Sequence, residues 1–80
     1  MILIDARELE HPLPLEMAVD TFKTLKGSDV IHFIHRREPL PLFEIITKNG
    51  GVYLSRQSSD GAWHILITRD PDLDLEQCHV

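Results

Sequence analysis

The sequence predicts an α/β (α+β) two-layer sandwich of βαβαββ order, with two helices on one face of a mixed four-stranded sheet. Short apolar runs have strand length, two amphipathic segments have the helical period, and turn residues separate these segments. A chain of 80 residues has room for one core, so both helices must cover the same face. We expect one domain over residues 1–69 and an acidic tail over residues 70–80.

The first two elements are a strand and an amphipathic helix. The run Ile2-Leu3-Ile4 ends at Asp5 and is long enough for a buried strand but too short for a helix. Apolar residues then recur at helical spacing, namely Leu15, Ala18, Val19, Phe22 and Leu25. Pro12 and Pro14 suit the start of this helix, and Gly27 suits its end because glycine readily takes a left-handed conformation.

A second strand and a second helix repeat this order. Residues 30–35 (VIHFIH) are apolar on both faces, which is typical of an interior strand. Pro39 and Pro41 then open a shorter helix that closes at Asn49-Gly50. A strand-helix-strand crossover is right-handed and makes its strands parallel, so both helices should begin at one edge of the sheet.

A hairpin and a tail complete the predicted fold. VYLSR at residues 52–56 and WHILIT at residues 63–68 have strand composition, and the polar segment between them contains the turn pair Asp60-Gly61. After residue 69 the chain contains Pro71 and alternating acidic residues. We therefore expect a loose or edge-packed tail.

Each predicted helix begins in a Pro-Leu-Pro-Leu segment, and the residue before the first proline differs between the two. It is His11 in the first and Glu38 in the second. The positive end of the first helix dipole favours a neutral imidazole, which could act as a base or a metal ligand, so His11 is a candidate for either role or for a structural one. Glu38 is a candidate ligand-binding residue, although capping of the second helix would by itself explain a carboxylate there.

Basic residues near the same edge make a small-anion site conceivable. Arg36 and Arg37 precede Glu38, and a guanidinium turned toward two helix starts would attract an anion. Arg7 and Asp5 lie on the neighbouring loop and complete the set of binding candidates. The prolines Pro12, Pro14, Pro39 and Pro41 form the structural part of this motif.

The other histidines predict at most a weak metal site. His32 and His35 are three apart in a strand and therefore point to opposite faces, so only one of them can share a face with His64. The acidic tail resembles the start of a calcium loop but has Leu75 where the turn glycine belongs. Without a phosphate loop, a metalloprotease motif or a nucleophile elbow, an independent enzyme is the less expected class.

Charge and composition exclude several classes of protein. The formal net charge is -5, and residues 70–80 hold four of the thirteen acidic side chains and none of the eight basic ones. No basic stripe is present, which argues against nucleic-acid binding. Neither a membrane span nor a signal peptide is apparent, and the single cysteine, Cys78, cannot form an internal disulfide. We expect a soluble cytoplasmic protein, monomeric or weakly homodimeric.

The order of elements and the first proline motif resemble the TusA/SirA sulfur-carrier fold, which has Cys-Pro-x-Pro at the start of its first helix. The corresponding residues here are His11-Pro12-Leu13-Pro14. REPLPLF at residues 37–43, followed by Asn49-Gly50-Gly51 and Trp63, is similar to a TusA-like domain-of-unknown-function family, over about residues 3–69. The resemblance implies the fold and the position of a site. It does not imply sulfur transfer, because imidazole cannot carry a persulfide and Cys78 lies outside the motif.

These observations lead to one functional expectation and two alternatives. We expect a small non-enzymatic binding or carrier module that engages a partner protein, a metal or a small anion at the edge bearing His11 and Glu38. One alternative is an accessory enzyme or sulfur-relay relative that uses His11 as a general base. The other is an interaction domain that homodimerises through its sheet. The sequence names no cofactor.

Overall fold

The computed structural model of the protein describes residues 1–78 and confirms the predicted fold class. Within these residues the chain forms four strands, two α-helices and a short 3-10 helix. In chain order they are β1 (Ile2–Asp5), α1 (Leu13–Thr24), β2 (Val30–His35), α2 (Leu40–Lys48), β3 (Val52–Gln57), β4 (Trp63–Thr68) and a 3-10 helix at Leu75–Gln77. The bounds of β2 and β4 are those predicted, and α1 begins before the periodic pattern because proline is tolerated in a first turn.

The sheet is mixed, and its strands lie in the order β1-β2-β4-β3. β1 pairs with β2 in parallel, while β4 pairs with β2 on one side and with β3 on the other in antiparallel fashion. Phe33 in the middle of β2 lies opposite Ile4 of β1 and Ile65 of β4. β2 and β4 are therefore the two inner strands of the sheet, as their apolar sequences indicate.

The main core lies between the two helices and one face of the sheet. Alternate strand residues point into it, including Ile4, Ile31, Phe33, Ile65 and Ile67. The helices contribute Ala18, Phe22, Leu42, Phe43 and Ile46. Since burying one large apolar side chain contributes about 1.5–3 kcal/mol, this layer is the principal source of stability.

Both helices begin with proline in the first turn and are followed by glycine in a left-handed conformation. Gly27, with φ of 56°, lies beyond the end of α1, and Gly50, with φ of 77°, lies beyond the end of α2. Gly50 directly follows the C-cap Asn49 and is the predicted end of α2, because glycine takes this conformation without a steric cost. α1 ends earlier than Gly27, at Thr24 with Leu25 as its C-cap, so Gly27 lies in the turn after the helix. No helix within residues 1–78 is long and apolar enough to cross a membrane.

Residues 70–78 pack on the sheet face opposite the helices, which we call the far face. Leu75 is buried there against Val30 and Leu66, with Cys78 at the margin of the cluster. The Ser28 hydroxyl donates to the Asp70 carboxylate at 2.7 Å, and this hydrogen bond lowers the pKa of Asp70. The segment therefore covers part of the far face instead of standing away as a loose tail. Residues 79 and 80 of the predicted tail lie outside the described residues.

A steric prediction concerns Gly51, which precedes β3. A Cβ at this position would lie 2.6 Å from Cε1 of Phe22 and 2.7 Å from Cγ2 of Ile46, well inside van der Waals contact. We expect Gly51→Ala to lower the free energy of unfolding by about 1–3 kcal/mol, because overpacking a dense core forces its side chains to move. Urea denaturation measures this loss.

The control for this prediction is a change in the ring that the new methyl group would meet. In a Phe22→Leu background the ring atoms nearest to Gly51 are absent, so the added methyl should cost less. An equal cost of Gly51→Ala in both backgrounds would contradict the steric explanation.

Candidate functional site

The starts of α1 and α2 converge on one cavity of about 220 Å³. Apolar side chains supply its walls, namely Leu9, Pro14, Leu15, Phe33, Pro39, Pro41 and Leu42. Six polar residues also line it, namely Glu10, His11, His35, Arg36, Arg37 and Glu38. The right-handed crossover thus brings together four of the predicted site residues, which are His11, Arg36, Arg37 and Glu38.

The two leucines of each Pro-Leu-Pro-Leu segment have different environments. Leu42 is fully buried in the core and Leu15 packs against the core, whereas the first leucines of the repeats, Leu13 and Leu40, are 49% and 59% exposed. In a helical first turn, residues two apart point to different sides. The repeat therefore anchors each helix with its second leucine and leaves the first one at the surface.

The first turns of the helices offer few free N–H groups. Pro14 and Pro41 have none, and the N–H groups of Leu13 and Leu42 each donate to a backbone carbonyl at 3.0 Å. The helix dipoles still make this end of the molecule attractive to negative charge. An anion in the cavity would therefore be held by side chains more than by backbone amides.

Glu38 does not cap α2, which corrects the expectation from sequence that capping explains it. The residue before α2 is Pro39, and no side chain accepts a hydrogen bond from the first turn. The carbonyl oxygen of Glu38 accepts from the N–H of Leu40 at 3.0 Å. The exposed carboxylate of Glu38 therefore remains available at the wall of the cavity.

The two arginines of the site differ in their partners. Nη2 of Arg36 lies 3.1 Å from Oε1 of Glu10 and also donates to the carbonyl of Leu9 at 3.4 Å. The ion pair is exposed and adds little stability, but it directs this guanidinium to Glu10. Arg37 makes no ion pair within residues 1–78. Its guanidinium is the one of the two that a ligand could engage without displacing a protein carboxylate.

His35 contributes a buried nitrogen that has no partner. Its Nδ1 lies 3.4 Å from the backbone nitrogen and 3.3 Å from the carbonyl oxygen of Arg37. Its Nε2 is buried and has no hydrogen-bond partner within residues 1–78. A buried polar atom left unpaired costs about 1–3 kcal/mol.

Sequence reasoning considered His35 only as a metal ligand and did not include it in this site. The sequence feature that could have identified His35 is its position as the last residue of β2, on the helix-facing side and three residues before Glu38. Glu10 was missed in the same way, although it directly precedes His11. Both residues belong to the cavity because they flank the helix starts.

Two predicted members of the site, Asp5 and Arg7, lie elsewhere. They form an ion pair in which Nη2 of Arg7 is 2.7 Å from Oδ2 of Asp5 and Nε donates to Oδ1 at 2.9 Å. The hydrogen bonds from Arg7 lower the pKa of Asp5 to about 2. Asp5 lies opposite Ile34 and faces the far side of the sheet, so the pair does not line the cavity.

The remaining histidines divide between the faces as the strand period requires. His32 lies on the far face with His64, and Nε2 of His32 is 2.9 Å from Nδ1 of His64. His35 lies on the helix-facing side. Within residues 1–78 no group of three or more His, Cys, Asp or Glu side chains could hold a metal ion. Burial, followed by the nearby charge of His64, lowers the pKa of His32.

The sequence and the fold of this protein resemble those of known proteins. Residues 3–69 match a family described as "Uncharacterized conserved protein (DUF2249)". The chain belongs to this family. Its fold is similar to the crystal structure of a SirA-like protein from Desulfitobacterium hafniense, with a TM-score of 0.74 and 18% sequence identity over 84% of this chain and 95% of that one. This likeness shows a SirA/TusA-like fold. A search of curated proteins found no match.

The exposed position of His11 predicts that its side chain adds little to stability. Its imidazole lines the cavity and makes no hydrogen bond within residues 1–78. We expect His11→Ala to change the free energy of unfolding by less than about 0.5 kcal/mol, as for other surface positions. A loss above about 1 kcal/mol in urea denaturation would instead assign His11 a structural role.

The His32–His64 contact predicts that stability falls in mild acid. Because the pKa of His32 is lowered from 6.5 in the folded protein, the unfolded chain binds this proton more readily. The free energy of unfolding is therefore unaffected by this proton above about pH 6.5, and it decreases as the pH falls below that value. We expect the urea midpoint to decrease between about pH 7.5 and about pH 5.5.

The matched controls are His32→Gln and His11→Gln. Removing the shifted group should flatten the pH dependence, whereas changing the exposed His11 should preserve it. An unchanged slope in His32→Gln would show that another group is responsible.

Proposed function

We propose that this protein is a non-enzymatic binding module that takes up a small organic anion with an apolar body. The carrying observation is that both helix starts converge on one cavity whose wall combines apolar side chains with Arg37, which makes no ion pair within residues 1–78. The guanidinium of Arg37 supplies the charge, while Phe33 and Leu42 supply the apolar surface. Ligand sites in proteins commonly combine such an apolar lining with a few polar groups.

The size of the cavity supports a small ligand. About 220 Å³ is below the range of roughly 300–1,000 Å³ that is usual for drug-sized molecules. A carboxylate on a single ring or a short chain suits this volume better than a nucleotide does.

The charges around the cavity favour a monoanion. Arg36 is largely neutralised by Glu10, which leaves Arg37 as the cation and Glu38 as a nearby carboxylate. The helix dipoles add attraction for negative charge, whereas Glu38 repels it. A single carboxylate can pair with Arg37 in bidentate geometry, while a dianion would gain more repulsion from Glu38.

The proposal does not include persulfide transfer. His11 occupies the position at which the sulfur carriers that this chain resembles have a cysteine, and imidazole cannot hold a persulfide. Cys78 packs against the cluster of Val30, Leu66 and Leu75 on the far face, away from the cavity. The shared fold therefore supports a shared place for a ligand and not a shared reaction.

A titration with three small probes tests the proposal. Benzoate combines an anion with an apolar ring, benzamide keeps the ring without the charge, and acetate keeps the charge without the ring. We expect benzoate to shift the amide NMR signals of Phe33, Arg37 and Leu42 at lower concentration than either of the others. Equal effects of benzoate and benzamide would contradict the role of charge.

Matched arginine variants locate the binding group. Arg37→Gln should weaken benzoate binding by about tenfold, since a charged hydrogen bond contributes roughly 1.5–3 kcal/mol. Arg56→Gln is the control, because Arg56 is exposed on the far face of β3. Benzoate binding that is insensitive to Arg37→Gln, or equally sensitive to both substitutions, would rule out this site.

A further inference from the structure

We propose that His32 and His64 form a second site, on the far face, which chelates one divalent metal ion. The ion is one that favours square-planar coordination by nitrogen, such as Cu²⁺ or Ni²⁺. The carrying observation is the separation of 2.9 Å between Nε2 of His32 and Nδ1 of His64. This site is independent of the cavity, because the two histidines lie on the other side of the sheet from His11 and His35.

The strand register holds the two imidazoles in place. β2 and β4 are antiparallel neighbours, with His32 opposite Leu66 and His64 opposite Ile34. The histidines are therefore diagonal neighbours on one face, a spacing that long side chains can bridge. Both are half-buried and are carried by the two inner strands of the sheet, so the backbone holds the two residues close together before a metal binds.

The nitrogen separation favours planar over tetrahedral coordination. Two nitrogens about 2.0 Å from one metal lie roughly 2.8 Å apart at a right angle, and about 3.3 Å apart at the tetrahedral angle. The observed 2.9 Å is close to the first value. Zinc in tetrahedral geometry would have to separate the rings, whereas Cu²⁺ or Ni²⁺ would not.

Coordination requires a change of tautomer and a tilt of the rings. One N–H now lies between the two facing nitrogens, with the ring centroids 5.2 Å apart. For both nitrogens to bind metal, His32 must carry its proton on Nδ1 and His64 on Nε2, and each ring must turn its lone pair toward the ion.

The surrounding charges leave the site close to neutral. Asp5 on β1 faces the same side but is paired with Arg7 at 2.7 Å. Arg56 on β3 lies opposite His64 and is exposed, so its guanidinium can extend into solvent. Water would fill the remaining coordination positions, because no third protein ligand joins the pair within residues 1–78. The affinity should therefore be modest.

The test is a Cu²⁺ titration of the 80-residue chain, followed by NMR. Cu²⁺ is paramagnetic and should broaden the signals of His32, His64 and their neighbours in β2 and β4 first, with one ion bound per chain. His32→Gln and His64→Gln should each weaken binding by about tenfold or more, since each removes one of two imidazole ligands. His11→Gln is the control and should bind Cu²⁺ as the unaltered chain does.

The broadening pattern in the unaltered chain decides the proposal even where a variant fails to fold. Broadening centred on His11, on His35 or on residues 78–80 would overturn it. Binding that is unchanged in folded His32→Gln and His64→Gln, as judged by circular dichroism, would also overturn it. The metal test is independent of whether benzoate binds near Arg37, because the two sites share no residue.

Discussion

The parallel pairing of β1 with β2 places both helix starts at one end of the sheet. A right-handed crossover is required to join such strands, and a chain of 80 residues must put both helices on one face to bury a single core. The residues that precede the helices then have to meet. The cavity follows from this topology, and its side chains determine what it can bind.

The Pro-Leu-Pro-Leu repeat contributes both to the packing of the helices and to the candidate site. Its second leucines anchor the helices, while its prolines remove backbone donors from both first turns. Recognition at this end consequently depends on the side chains that differ between the repeats and on those just before them.

The fold and the meeting of the two helix starts could be predicted from the sequence because both rest on local patterns. Apolar spacing distinguishes strands from helices, and Gly50 marks the end of α2 through its backbone freedom. The two-residue period of a strand likewise placed His32 and His35 on opposite faces. Such inferences need only the geometry of one element, or the handedness of one crossover.

The sequence by itself thus determined the elements, their order and the end of the sheet at which a site could form. Only the tertiary structure decided which side chains are free, as Glu38 leaves α2 uncapped while Arg36 pairs with Glu10. It also decided that His32 meets His64 and that Asp5 faces away from the cavity. These outcomes depend on distances between atoms that are remote in sequence, and no periodic pattern encodes the rotamer that each side chain adopts.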